Sequence, residues 1–476
     1  MGMVGVLRKY SSLSIEAKAS LWYLFCNLVQ KGISFIVIPL YTRLLTTSEY
    51  GTYTVFQSWR DLILIFATLN LSAGVFTRGL VKNDGSKDKY TAQMQGLSSA
   101  VAVLTFLIVV LFIDPFRRLT GFDEKLIIAL FVYYIFNPSF LFWSVRQRVE
   151  NKYKSMVAIT LLASLLVPAV SLLMFFLTDI RANALIYGFL YVQIAVGMCF
   201  FVKQFVDGRA FFSKIVWWES LKFNIPLIPH YLSLIVLAQS DRLMIDHICG
   251  TSFAGIYSLT YNIGQILLIV IASINGSLVP WMYKKLKSEE FSSIAVTSNM
   301  LCILLGLMSA IVMLLAPEVV FIMGGAEYMP AKWCIPPVVM GTYFTFCYGL
   351  FSTVEFYIGK TSYVAVASFV GAVLNIVLNL LFIPKYGFIA AAYTTEVCYM
   401  AFMFLHYFFM KKMTKERVFN IKGMIVICLV VFASSLIFTI LYDYDYIRWS
   451  VAVFVLLLAL FKHRTFVNML KSLKAT

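Results

Sequence analysis

Histidine is scarce in this 476-residue chain: His230, His247, His406 and His463 are its four, and they stand far apart. The eight cysteines, Cys26, Cys199, Cys249, Cys302, Cys334, Cys347, Cys398 and Cys428, are equally scattered, and none forms a C-x-x-C pair. Neither a zinc site nor a disulfide framework has its ligands at the required spacing, and no metal or cofactor is expected. Charge is thin, at 13% of residues. Long polar stretches are missing too. The gaps between apolar runs reach about 20 residues, too few for a soluble catalytic domain with its own core. The first 20 residues are basic and polar, without the apolar segment and small-residue cleavage site of a secretory leader. The first apolar run therefore reads as an uncleaved insertion signal.

What remains is apolar: 61% of the residues are hydrophobic. Water would not tolerate that much exposed hydrocarbon, whereas a bilayer does. Runs of ~20 mostly apolar residues, the length a spanning helix needs, recur about fourteen times between residues 20–41 and 447–461. The expected fold is all-α and polytopic, with about fourteen transmembrane helices.

A net charge of +16 could suggest a nucleic-acid binder. Its distribution argues otherwise. Most of the 39 basic residues fall at the N-terminus and in alternate gaps, among them Arg8, Lys9, Arg146, Lys152, Lys284, Lys285, Lys360, Lys411, Lys412 and Lys415. That alternation marks the cytoplasmic side, so both termini are expected in the cytoplasm. Anionic lipid explains the basic rim without nucleic acid.

An internal repeat stands behind the runs. Thr47-Ser48-Glu49-Tyr50-Gly51-Thr52-Tyr53 is echoed 204 positions later by Thr251-Ser252-Phe253-Ala254-Gly255-Ile256-Tyr257. Lys152 and Lys360 repeat at nearly the same offset. Two six-span halves follow, residues 1–205 and 206–412, with 413–476 as two extra helices and a cytoplasmic tail. Parallel halves of this kind flank a cavity in transporters.

The segment Ile38-Pro39-Leu40-Tyr41-Thr42-Arg43-Leu44-Leu45, then Ser48-Glu49-Tyr50-Gly51-Thr52-Tyr53, and later Leu380-Leu381-Phe382-Ile383-Pro384-Lys385-Tyr386-Gly387 with Ala390-Ala391-Ala392, resembles the Wzx-type polysaccharide flippases. These belong to the superfamily of multidrug exporters of the MATE type and lipid II flippases. The resemblance implies two six-helix bundles in a V that alternate access in a bacterial inner membrane. Its implied cargo is an undecaprenyl-pyrophosphate-linked oligosaccharide. A proton or sodium gradient would supply the coupling, and glycan polymerase or export proteins would be the partners. A drug/cation antiporter of the same architecture is the alternative. A membrane-embedded glycan polymerase or ligase is a second one, disfavoured by the short outward gaps.

Ionisable groups at membrane depth normally face a cavity or a partner. Lys31 sits midway along the first run, and Arg60 and Asp61 midway along the second. Three readings stand. Lys31 and Asp61 could pair and only fix packing; Asp61 could orient one cation while the other faces the cavity and meets the lipid pyrophosphate; or the long cations could snorkel to an interface. Neighbours on a helix point ~100° apart, so Arg60 and Asp61 are not expected to aim at one point. Gly264 and Gln265 stand at the equivalent positions of the second half, leaving the first half the more cationic. Glu355 and Glu396 are candidate ion-coupling carboxylates, without visible partners. Asp241-Arg242 reads as an interfacial pair, and His230 as a hydrogen-bonded packing residue. Pro39, Pro138, Pro168, Pro226, Pro229, Pro336 and Pro337 are expected to kink spans. Interfacial belts are expected to hold most tyrosines, such as Tyr134, Tyr257 and Tyr343.

Overall fold

The computed structural model describes residues 14–359, 361–414 and 416–474. Arg8, Lys9, Lys360 and Lys415 lie outside the described residues, and with Lys360 goes the second member of the Lys152 correspondence. No strand occurs among the described residues. In chain order the α-helices are α1 (Ile15–Leu44), α2 (Thr47–Thr68), α3 (Val75–Lys82), α4 (Lys87–Leu111), α5 (Ile113–Thr120), α6 (Glu124–Val149), α7 (Tyr153–Leu177), α8 (Ala182–Gly208), α9 (Lys214–Asn224), α10 (Ile228–Cys249), α11 (Thr251–Lys287), α12 (Phe291–Leu314), α13 (Ala316–Gly324), α14 (Ile335–Ile358), α15 (Thr361–Tyr386), α16 (Ile389–Met413), α17 (Ile421–Ile440), α18 (Asp445–Phe461) and α19 (His463–Lys474).

The chain is a multi-pass membrane protein. Among the described residues, eleven helical stretches are long and apolar enough to cross a bilayer, or twelve if α18 and α19, bent by 51°, count as one. The sequence expectation of about fourteen exceeds this because α2 and α16 are too polar to qualify. α16 hides that polarity against protein: Thr394, Thr395, Glu396 and His406 are all buried. The prolines also sort differently than expected. Pro39, Pro138 and Pro168 lie inside helices. Pro336 and Pro337 stand in the first turn of α14, where a missing N–H costs nothing. Pro226 falls in the 3-10 turn separating α9 from α10.

Contacts divide the chain into two units, residues up to 40 with 56–235, and 41–55 with 236 onward. In the first, α6, α7 and α8 pack together, and α4 lies against α6 and α8. Phe76 and Phe142, 4.6 Å apart, centre a core that also holds Tyr90, Met94 and Leu97. In the second, α16 packs between α14 and α15, and α11 lies on α14.

The repeated motif explains why residues 41–55 group with the second unit. Thr47 Oγ1 lies 2.7 Å from Ser252 Oγ. A Cβ on Gly255 would strike the Thr47 carbonyl, and one on Gly51 would strike the Thr251 carbonyl. The two copies of the repeat thus cross backbone to backbone, as small residues four apart permit. Thr42 adds a hydrogen bond to the Met323 carbonyl, and Arg43 one of 3.2 Å to that of Ile322.

The helices past residue 413 pack on α12, where Tyr442 donates to the Met313 carbonyl at 2.7 Å, and Arg448 ties α18 to α12 and α13. The Arg448 side chain is 3% exposed and donates to both Glu318 oxygens at 2.6 and 2.7 Å, to Asp445 at 2.7 Å and to the Leu314 carbonyl at 2.8 Å. The arginine is buried while Glu318 and Asp445 keep 30% and 73% exposure, so solvent screens part of the attraction. Arg448→Ala is still expected to lower the thermal unfolding midpoint of the detergent-purified protein. An unchanged midpoint would show that α18 docks without it.

Candidate functional site

Each unit carries its own set of buried or half-buried polar groups. In the first, α2 delivers Arg60 and Asp61, and the expectation that they point apart is corrected. The long Arg60 side chain folds back, so that Nη2 and Nε donate to Asp61 Oδ1 at 2.7 and 2.9 Å. The guanidinium lies over Phe189 on α8, 4.6 Å from the ring centroid. The Arg60 carbonyl accepts from Tyr134 Oη at 2.7 Å, which explains why that tyrosine is buried rather than in a belt. Arg60 and Asp61 retain 15% and 27% exposure. Lys31 is exposed on α1, and among the described residues it makes no ion pair. The Lys31–Asp61 pair is not formed.

The second unit holds a group the sequence reading undervalued. Asp241, 2% exposed, is no interfacial ion pair with Arg242. Its Oδ2 accepts from Tyr257 at 2.6 Å and Thr395 at 2.7 Å, and its Oδ1 from Asn379 at 2.7 Å and Asn375 at 3.1 Å. Around it, Ser240 donates to the Asn375 amide oxygen at 2.7 Å and Thr394 donates to that of Asn379. Arg242 turns away and covers the Tyr261 ring at 4.5 Å. Four neutral donors thus hold one buried carboxylate, and no ion pair among the described residues includes it. Burying a charge without a counter-ion is costly, even when hydrogen bonds offset part of it. Carboxylate, amide and hydroxyl oxygens on four helices are also the donor types that a hard cation takes. The arrangement can hold a proton or a small monovalent cation. Its sequence signal was Asn375 and Asn379, four apart in an otherwise apolar run, facing Thr394-Thr395.

Glu355 does have a partner. It is fully buried, and His406 Nδ1 lies 2.9 and 3.1 Å from its two oxygens. The His406 ring stacks on Tyr348 at 5.2 Å and Phe402 at 6.0 Å. Glu396 is 5% exposed, and its Oε1 has no hydrogen-bond partner. Glu355 and Glu396 belong to separate surroundings and form no carboxylate pair. His230 is half-buried and its Nδ1 has no partner, contrary to the packing role expected for it. Among the described residues, no group of three His, Cys, Asp or Glu could hold a metal ion.

Residues 17–286 match the family model described as polysaccharide biosynthesis protein, which is more than half of the chain. The chain belongs to that family. A relative in Haemophilus influenzae, an uncharacterized membrane protein, is 24% identical over 366 residues, covering 74% of this chain and 86% of the relative. Among solved structures, the lipid II flippase MurJ in an inward closed conformation superposes with a TM-score of 0.71 at 15% identity, covering 94% of this chain and 99% of that one. A multidrug resistance MATE family transporter in an outward-facing conformation gives 0.55 at 14% identity, covering 84% and 95%. At such identities the likeness concerns the fold. This family member therefore shares its overall fold with both of these structures.

Proposed function

We propose that the chain carries undecaprenyl-pyrophosphate-linked oligosaccharide from the cytoplasmic to the periplasmic leaflet of a bacterial inner membrane, by alternating access and coupled to a cation. Both termini would lie in the cytoplasm, with the basic rim on anionic lipid. The observation that carries the reading is Lys31: a cation midway along a spanning helix, exposed and without an ionic partner. In hydrocarbon such a group costs a few kcal/mol at least, so it faces water or an anion. In a family of polysaccharide biosynthesis, a lipid pyrophosphate supplies that anion. Arg60 offers a second cation, oriented by Asp61 and Phe189. Asp241, with Glu355 and Glu396 as further candidates, supplies the carboxylate for the coupling ion.

Deleting the chain is expected to abolish surface glycan and leave sensitivity to cationic dyes unchanged. Loss of dye resistance with intact glycan would replace the reading with a drug/cation antiporter. Lys31→Ala and Arg60→Ala are each expected to cut glycan export about tenfold at normal membrane level, the loss of roughly 1.4 kcal/mol of binding. Arg60→Lys, which keeps the charge without the planar fork, should retain part of it.

A further inference from the structure

The end of the first unit that carries Arg146, Lys152 and Lys203 holds a cavity of about 260 Å³ that the transport reading leaves unused. α4, α6 and α8 converge there, and glycine permits the approach: a Cβ on Gly208 would strike the Asp88 carbonyl. Its charges are balanced and already paired. Arg146 bridges Asp88 and Glu150, Lys152 reaches the other Glu150 oxygen at 2.6 Å, and Lys203 meets Asp207 at 3.0 Å. A rim of this kind gives no net attraction to a strongly charged ligand of either sign. It presents alternating donors and acceptors, which suit hydroxyl groups that both give and accept hydrogen bonds.

Two further residues point to the ligand. Gln204, 5% exposed, donates to the Ser139 carbonyl at 2.8 Å and leaves its own amide oxygen without a partner. Trp143 lines the same cavity, its indole stacked on Phe200 at 4.4 Å. Trp143 is 8% exposed, so it offers the cavity an aromatic edge beside planar polar side chains, which suits the apolar C–H edge and hydroxyls of a sugar ring. The volume lies below the ~300–1,000 Å³ of drug-sized sites, so about one ring fits.

We propose that this cavity binds one neutral sugar ring, of the class carried by the lipid-linked oligosaccharide. The choice of that class rests on the flippase reading, while the binding does not. The purified full-length chain in detergent is titrated with free glucose, galactose and N-acetylglucosamine, with glucuronate as the charged control, while indole fluorescence is followed. At least one neutral sugar is expected to give a saturable change that Trp143→Phe removes and glucuronate does not produce. Asp207→Asn and Gln204→Leu should each weaken it about tenfold with unchanged unfolding midpoints. Absence of a saturable change with every neutral sugar overturns the proposal. So does an equal response to glucuronate, or identical curves for parent and both variants. No lipid or export enters the titration, so its failure leaves the flippase reading standing. Normal export in Lys31→Ala would damage that reading alone.

Discussion

Asp241→Asn is expected to reach the membrane at the parent level and to lose glycan export about 100-fold. Asparagine keeps the size and one acceptor of aspartate, and the surrounding hydroxyls of Tyr257 and Thr395 can reverse their hydrogen bonds toward it. The charge is gone, and with it the affinity for a proton or small cation. A ligand biases a conformational equilibrium only by binding its states unequally, so a cation that no longer binds moves nothing. Asp241→Ala separates this from a packing role. It strands the four groups now donating to the carboxylate, at about 1–3 kcal/mol for each unsatisfied buried group. The alanine variant should therefore lose protein from the membrane as well as activity. Parent-level export by Asp241→Asn would exclude Asp241 from coupling and leave it a structural anchor.

Gly255→Val is expected to abolish folded protein. The new Cβ would meet the Thr47 carbonyl and the backbone of Gly51, and backbone in two crossing helices has nowhere to move. Overpacking costs about 1–3 kcal/mol where side chains can give, and more where they cannot. Gly51→Val should behave alike, because its Cβ would meet the Thr251 carbonyl. Gly276→Ala, on the same α11, is the control: nothing lies within 4 Å of its Cβ. Alanine there gains about 1 kcal/mol of helix propensity. The check is the monodisperse fraction in size-exclusion chromatography after extraction. Parent-like profiles for both valine variants would refute the close crossing.

The membrane class was legible because hydropathy sums over some twenty residues at a time and needs no partner. Hydropathy alone separates the spans less well where tertiary contact replaces lipid: α16 carries buried polar residues and packs against α14 and α15. The repeat was legible as spelling, but its purpose was not. That Thr47-x-x-x-Gly51 and Thr251-x-x-x-Gly255 touch requires two crossing backbones. At the site, Lys31, Arg60, Glu355 and Glu396 stood out because a charge in an apolar run is conspicuous. Asp241 was noticed and misjudged, since its burial depends on Asn375, Asn379 and Thr395, more than a hundred residues away. His406 escaped for the same reason, being 51 positions from Glu355. Charge shows in a sequence, whereas burial and pairing belong to the fold.

The most direct measurement places the purified chain in liposomes containing undecaprenyl-pyrophosphate-linked oligosaccharide, and follows how much of the glycan an externally added glycosidase can cleave. Protein-free liposomes expose only their outer leaflet. The chain should raise the cleaved share toward completion when a cation gradient is imposed, while Lys31→Ala stays near the protein-free level. A cleaved share that never exceeds that of protein-free liposomes, with correctly inserted protein, would contradict the transport of lipid-linked oligosaccharide.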